Sequence, residues 1–221
     1  MSRTRIKFCG MTRRGDIDVA AALGVDAIGL IIAERSVRRL TPEQAAQLVE
    51  GLPPLLSKVL LCMDNEPALI REAIDAAAPQ WLQFHGRETA AECEAFGLPY
   101  LKAVPMGSLA DAAAFTGYIA RFPGAAGFVL DSHASGKAGG SGERFDWSRT
   151  PHLSRPWLLA GGLTPDNVAQ AIRATRPFAV DVSSGIESAP GTKDQQRMRH
   201  FVAEVCRAGG NRSDRENEQD Q

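Results

Sequence analysis

A cysteine closes the apolar run "IKFC" (Ile6 to Cys9) just before the loop-like "GMT". Side chains alternate along a strand, so Lys7, two residues earlier, faces the same side as Cys9. An ammonium beside a thiol favours the thiolate, the form that reacts. Cys9 could equally be a packed core residue, since cysteine is among the most buried types. Its place where strand gives way to loop argues for chemistry instead. Carboxylates occupy comparable places: Asp131 closes "GFVLD", and Asp181 lies in "FAVDVSSG". A merely solvated charge is out of character in such apolar runs, and capping or ion pairing is the plain alternative. Gln83 and His85 in "LQFHG" share one face, although a lone histidine is more often a hydrogen-bonded structural residue. Arg38, in "ERSVRRL", falls on a loop, where most arginines are simply solvated. His133, His152 and His200 read as surface residues, and Cys62, Cys93 and Cys206 as packing.

Two glycine-bearing stretches point to an anion. "AGGLTPDN" follows one apolar run and opens a helix, and "DVSSGIE" follows the next. Glycine lets backbone amides approach an anion closely, and a helix N-terminus adds its dipole. Either stretch alone could be only a turn. Together, after the last two strands, they predict a phosphate site.

These residues need elements to position them. Eight short apolar runs ("IKFC", "AIGLII", "KVLLCM", "WLQF", "YLKAV", "GFVLD", "WLLA" and "FAVDV") alternate with alanine-rich helical patterns. Helix starts are marked by Thr41-Pro42 and Thr164-Pro165. Such alternation implies parallel strands with right-handed crossovers. Eight units within 221 residues predict a closed (β/α)8 TIM barrel of α/β class as a single domain. A doubly wound open sheet is the runner-up, but GxGxxG is missing after the first run. Between "GFVLD" and "WLLAGG" a long glycine-rich stretch leaves room for only a shortened helix after the sixth strand, near "FDWSRTP". It is a candidate lid or phosphate loop. The expected barrel spans residues 1–208, with residues 209–221 a polar, disordered tail.

A net charge of −1 gives no basic excess for nucleic acid, and no apolar stretch is long enough to span a membrane. With no apolar signal region at the start and four scattered cysteines, a cytoplasmic protein with reduced thiols is expected. A monomer is the default expectation, a homodimer the alternative.

The ordered set "KFCGMT", "LQFHG", "VLDS", "GGSGERFDW", "LAGGLTPDNV", "VDVSSGIE" and "GTKD" resembles phosphoribosylanthranilate isomerase from about Arg5 to about Cys206. The resemblance implies the Amadori rearrangement of N-(5'-phosphoribosyl)anthranilate to 1-(2-carboxyphenylamino)-1-deoxyribulose 5-phosphate in tryptophan biosynthesis. It implies no cofactor and no metal. By motif, Cys9 would be the general base and Asp131 the general acid. Arg38 would meet the anthranilate carboxylate, although Val37 stands where the family has a proline. Asp181 would lie near the ribose hydroxyls. Gly140, Gly142, Gly162, Ser184 and Gly185 would cradle the phosphate. Lys7, Gln83 and His85 join the expected substrate-contacting set on their own geometry, with Lys7 expected to help hold the Cys9 thiolate. Pairing of Lys7 with Asp181 is the rival account.

Other functions fit less well. The related isomerase of histidine biosynthesis has an aspartate where Cys9 stands. Indole-glycerol-phosphate synthase would need a longer chain with catalytic lysine and glutamate pairs. A phosphosugar-binding protein without activity would have no use for both an acid and a base.

Overall fold

The computed structural model describes residues 3–132 and 153–216. Its eight principal strands fall on the eight apolar runs: β1 (Arg5–Phe8), β2 (Ala27–Ile31), β3 (Ser57–Cys62), β4 (Trp81–Phe84), β5 (Tyr100–Pro105), β6 (Gly127–Asp131), β7 (Trp157–Leu159) and β8 (Ala179–Val182). Each pairs in parallel with the next, and β1 closes the ring by pairing with β8, Lys7 opposite Asp181. The barrel is closed, which excludes the open doubly wound sheet.

Alternation sorts the side chains into two layers. Ile6, Phe8, Ile28, Leu30, Leu60 and Phe84 face outward into the large apolar layer shared with the helices. Their neighbours face the barrel interior, where Val129, Leu158, Ala160 and Ala179 form one small cluster and Cys9, Ile31, Ala33 and Leu61 another. Cys62 and Cys93 are buried in the outer layer as expected.

The helices are α1 (Arg14–Ala22), α2 (Pro42–Val49), α3 (Pro67–Ala77), α4 (Ala90–Glu94), α5 (Ala112–Ala120), α6 (Pro165–Thr175) and α7 (Gln195–Glu216). Both Thr-Pro signals work as read. In α2, Thr41 Oγ1 accepts from Gln44 N while Thr41 N donates to Gln44 Oε1 at 2.9 Å. In α6, Thr164 N donates to Asn167 Oδ1 at 2.9 Å.

Two features depart from the sequence reading. Cys206 is exposed rather than packed, because α7 turns Met198, Phe201, Val205 and Ala208 inward and leaves Cys206 on its far side. A two-stranded antiparallel hairpin, β9 (Glu187–Ala189) and β10 (Thr192–Lys193), lies between β8 and α7. The last helix, α7, runs on to Glu216. The shortened helix and lid expected after β6, with Gly140, Gly142, His133 and His152, lie outside the described residues. His200 is exposed, as read.

Candidate active site

A cavity of about 310 Å³ opens at the C-terminal ends of the strands. Cys9, Arg38, Gln83, His85, Asp131 and Asp181 all line it, as do Gly162, Ser184 and Gly185. Nine separately proposed residues therefore meet in one place.

Cys9 follows the last residue of β1, and its peptide is held at both ends. Its N–H donates to Val182 O at 2.9 Å, and its carbonyl accepts from Lys193 Nζ at 2.7 Å. The thiol is buried beside Lys7, whose ammonium lies 3.0 Å from both Asp181 oxygens. The pairing of Lys7 with Asp181, the rival account, is thus present, and the ammonium and the neighbouring thiol also act on each other's charge. Lys7 is not among the residues that line the cavity. Burial opposes the Lys7 ammonium, but Asp181 and Cys9 outweigh it and its pKa is raised. Burial also pushes the Cys9 thiol up, reinforced by Asp181, further than Lys7 and Lys193 bring it down.

Gly29 on β2 makes room for this pair. A Cβ there would lie 2.7 Å from Cys9 Sγ, 3.1 Å from Cys9 Cα and 3.2 Å from Lys7 Nζ. Gly29→Ala is expected to push the thiol aside and destabilise the barrel by about 1–3 kcal/mol through overpacking. Misplacing a reacting group by about 1 Å costs on the order of 10²-fold in rate. A kcat close to that of the parent enzyme, measured on folded protein, would show that the thiol position does not matter.

Asp131 ends β6, with β7 and β8 between it and β1 on one side of the ring and β2 to β5 on the other. His85 Nε2 lies 3.4 Å from Asp131 Oδ2, and His85 Nδ1 lies 3.4 Å from Gln83 Nε2. Gln83 Oε1 is buried with no hydrogen-bond partner among the described residues.

Arg38 is 6% exposed, unlike an ordinary loop arginine. Its loop is tied by Ser36 N to Ala33 O, by Arg38 N to Ser36 Oγ at 3.1 Å, and by Leu40 N to Ile31 O. Val37, in the place of the missing proline, simply points to solvent. Arg38 donates through Nε and Nη2 to the two oxygens of Glu187 at 2.7 and 2.6 Å. Hydrogen bonding to Glu187, more than burial opposes it, raises the Arg38 pKa.

Two touching turns, after β7 and after β8, form part of the cavity wall. Gly161 and Gly162 take left-handed φ values of 80° and 64°, which a side chain would strain. Asn167 Nδ2 pins this turn through Gly162 O at 2.9 Å, just before α6. A Cβ at Gly185 would overlap the Leu163 carbonyl, so only glycine lets the turn after β8 pack against the turn after β7.

A model of the family described as "N-(5'phosphoribosyl)anthranilate (PRA) isomerase" matches residues 6–204. The chain belongs to the phosphoribosylanthranilate isomerase family. An isomerase of that name from Xanthomonas campestris pv. campestris (strain 8004) is 54% identical over 211 residues, covering 93% of this chain and 95% of the relative. The crystal structure of phosphoribosyl anthranilate isomerase from Thermus thermophilus superposes with a TM-score of 0.78 at 34% identity, over 92% of this chain and 98% of that one. Another isomerase structure was solved in complex with reduced 1-(o-carboxyphenylamino)-1-deoxyribulose 5-phosphate. It superposes with a TM-score of 0.76 at 29% identity, over the same shares of the two chains. The protein is a TIM-barrel isomerase of tryptophan biosynthesis. Its reaction is the Amadori rearrangement of phosphoribosylanthranilate.

Sequence reasoning missed Glu187, Lys193 and Gly29. The first two lie in the quoted "VDVSSGIE" and "GTKD", but nothing in their spacing shows that a hairpin returns them beneath Arg38 and Cys9. No helix of the described residues is long and apolar enough to cross a membrane.

Proposed function

We propose that the rearrangement proceeds here by general acid and base catalysis with Asp131 as the acid and Cys9 as the base. The observation that carries this reading is that the two groups line one cavity from well-separated strands of the ring. An acid must protonate the furanose ring oxygen as the C1'–O bond breaks. A base must then remove the C2' proton of the resulting Schiff base, giving an enolamine that tautomerises to the ketone. Groups on separate walls can serve the two sides of one sugar.

The remaining surfaces fix the substrate's direction. The phosphate goes to the paired turns at Gly162 and Ser184–Gly185, before the N-terminus of α6. The anthranilate ring lies on the apolar wall of Ile31, Leu61 and Met63, with its carboxylate toward Arg38. Glu187 occupies Nε and Nη2 of Arg38, which leaves Nη1 as the donor for that carboxylate. Asp181, held by Lys7, faces the ribose hydroxyls. Gln83 Oε1, buried without a hydrogen-bond partner among the described residues, is a further acceptor for the sugar. A phosphosugar is thus the small-molecule partner, and the expected setting is cytoplasmic.

Iodoacetamide alkylation tests the base directly, because a pH–rate profile cannot say which of the two groups titrates on which limb. A free thiol titrates near ~8.5. Burial disfavours the charged form, so alkylation of Cys9, followed by peptide mass spectrometry, should show a midpoint above that value. At neutral pH the thiolate is then a minor species, and its fraction rises about tenfold per pH unit. Turnover should disappear in step with Cys9 alkylation, and the reduced product analogue should protect both. Full turnover in protein alkylated at Cys9 would overturn the assignment.

A further inference from the structure

Lys193 is completely buried at the end of β10, and its ammonium is crowded with acceptors. Its Nζ donates to Cys9 O at 2.7 Å, Ser183 O at 3.1 Å, Ser183 Oγ at 3.3 Å and Glu187 Oε1 at 2.8 Å. Glu187 in turn grips Arg38 through both oxygens, and Arg197 Nη1 donates to the Glu187 carbonyl at 2.5 Å. Lys193 N faces Asp16 Oδ2 at 3.2 Å, which anchors the same residue to α1. One cation thus touches the peptide that carries the base, the turn after β8 and the carboxylate that holds Arg38.

We propose that Lys193 is a positioning residue for the isomerisation, fixing Cys9 through its carbonyl and Arg38 through Glu187. The proposal rests on the reading of Cys9 as base and Arg38 as the carboxylate site. The Cys9 carbonyl lies past the end of β1, and the Lys193 ammonium ties it to the hairpin. Arg38 reaches the cavity from a loop, and a bidentate bond to a buried carboxylate sets the plane of its guanidinium. Ion pairs of this kind are weak evidence for stability, because desolvation offsets most of the attraction. Their geometry, however, is specific: a buried ammonium with several acceptors has few places to go. Burial lowers the Lys193 pKa, while Arg38 and Lys193 together outweigh burial and hold the Glu187 carboxyl below its ordinary range.

The charged groups around the Cys9 thiol are Lys7 from β1, Asp181 from β8 and Lys193 from β10, with Arg38 on the loop above Gly10. Removing the Lys193 ammonium takes away one of the charges that favour the thiolate. The alkylation midpoint reports that charge, and displacement of the base shows instead in kcat.

Lys193→Met and Glu187→Gln, each in the parent enzyme and in an Arg38→Ala background, separate these roles. Kinetics are read well below each variant's Tm. Lys193→Met should lower kcat about 10- to 100-fold, as expected for a displaced base, and move the Cys9 alkylation midpoint to higher pH. That kcat loss should persist without Arg38. Glu187→Gln should raise KM about tenfold or more, the scale of a charge-assisted hydrogen bond, and this effect should vanish without Arg38. Folded Lys193→Met with parental kcat would overturn the proposal, whether or not the thiol midpoint moves. An equal KM rise from Glu187→Gln with and without Arg38 would overturn it too, and that comparison decides the matter should Lys193→Met fail to fold. Failure of the underlying reading shows separately, as turnover surviving the loss of Cys9.

Discussion

Cys9→Ala is expected to cut turnover by ~10²–10⁴-fold, the usual contribution of a positioned general base, while the barrel stays folded. The substitution removes one sulfur atom from a small interior cluster with Ile31, Ala33 and Leu61. The peptide itself is kept in place by Val182 O and Lys193, neither of which needs the thiol. Lys7 keeps its two-oxygen contact with Asp181, so no buried charge is orphaned. Circular dichroism and the melting temperature should therefore change little. The fluorescent substrate gives kcat directly, and the reduced product analogue gives affinity by competition. Turnover near the parental value in purified, folded Cys9→Ala would remove Cys9 from the mechanism. A loss of analogue affinity matching the loss of kcat would make it a binding residue instead.

Asp131→Asn should be at least as damaging. The amide keeps the shape and the His85 neighbour at the end of β6, but it cannot deliver a proton to the ring oxygen. Ring opening precedes every later step, so kcat should collapse and leave the enzyme little to do with its intact base. Binding should survive, because the phosphate turns and Arg38 are untouched. Removing an interaction made only in the transition state lowers kcat and kcat/KM together. A weakened analogue affinity with a preserved rate per bound substrate would mark Asp131 as a residue that merely orients the sugar. Single-turnover mixing of excess enzyme with substrate separates the two outcomes.

Much of this was legible from residues alone, for identifiable reasons. Each strand is an apolar run short enough to be bounded by turn signals, and the Thr-Pro helix starts are local devices. Period-two alternation placed Lys7 with Cys9 and Gln83 with His85. Strand ends placed Asp131 and Asp181 at the rim. The partnerships that matter most were harder to see. Glu187 and Lys193 lie in a three-residue strand and a two-residue strand, too short to show any period. Arg38 gave no sign of burial, because that depends on a carboxylate 149 residues away. Gly29 reads as an ordinary strand residue until the neighbouring thiol and ammonium are in place. Cys206 was misjudged because helical packing depends on register, and its neighbours Phe201 and Val205 take the inward face.

The pairing of β1 with β8 has a consequence for the nascent chain. Lys7 and Asp181 are 174 residues apart, so β1 emerges from the ribosome long before its second neighbour exists. At synthesis rates of about 5–20 residues per second, that interval is roughly ten to thirty-five seconds. During it, β1 can pair with β2 alone, and its other side is an open edge. A charged side chain on an open edge discourages pairing with the wrong strand. Until β8 arrives, Arg5 and Lys7 put two positive charges on that edge strand. An exposed charge there opposes the pairing of that edge with other chains until β8 covers it.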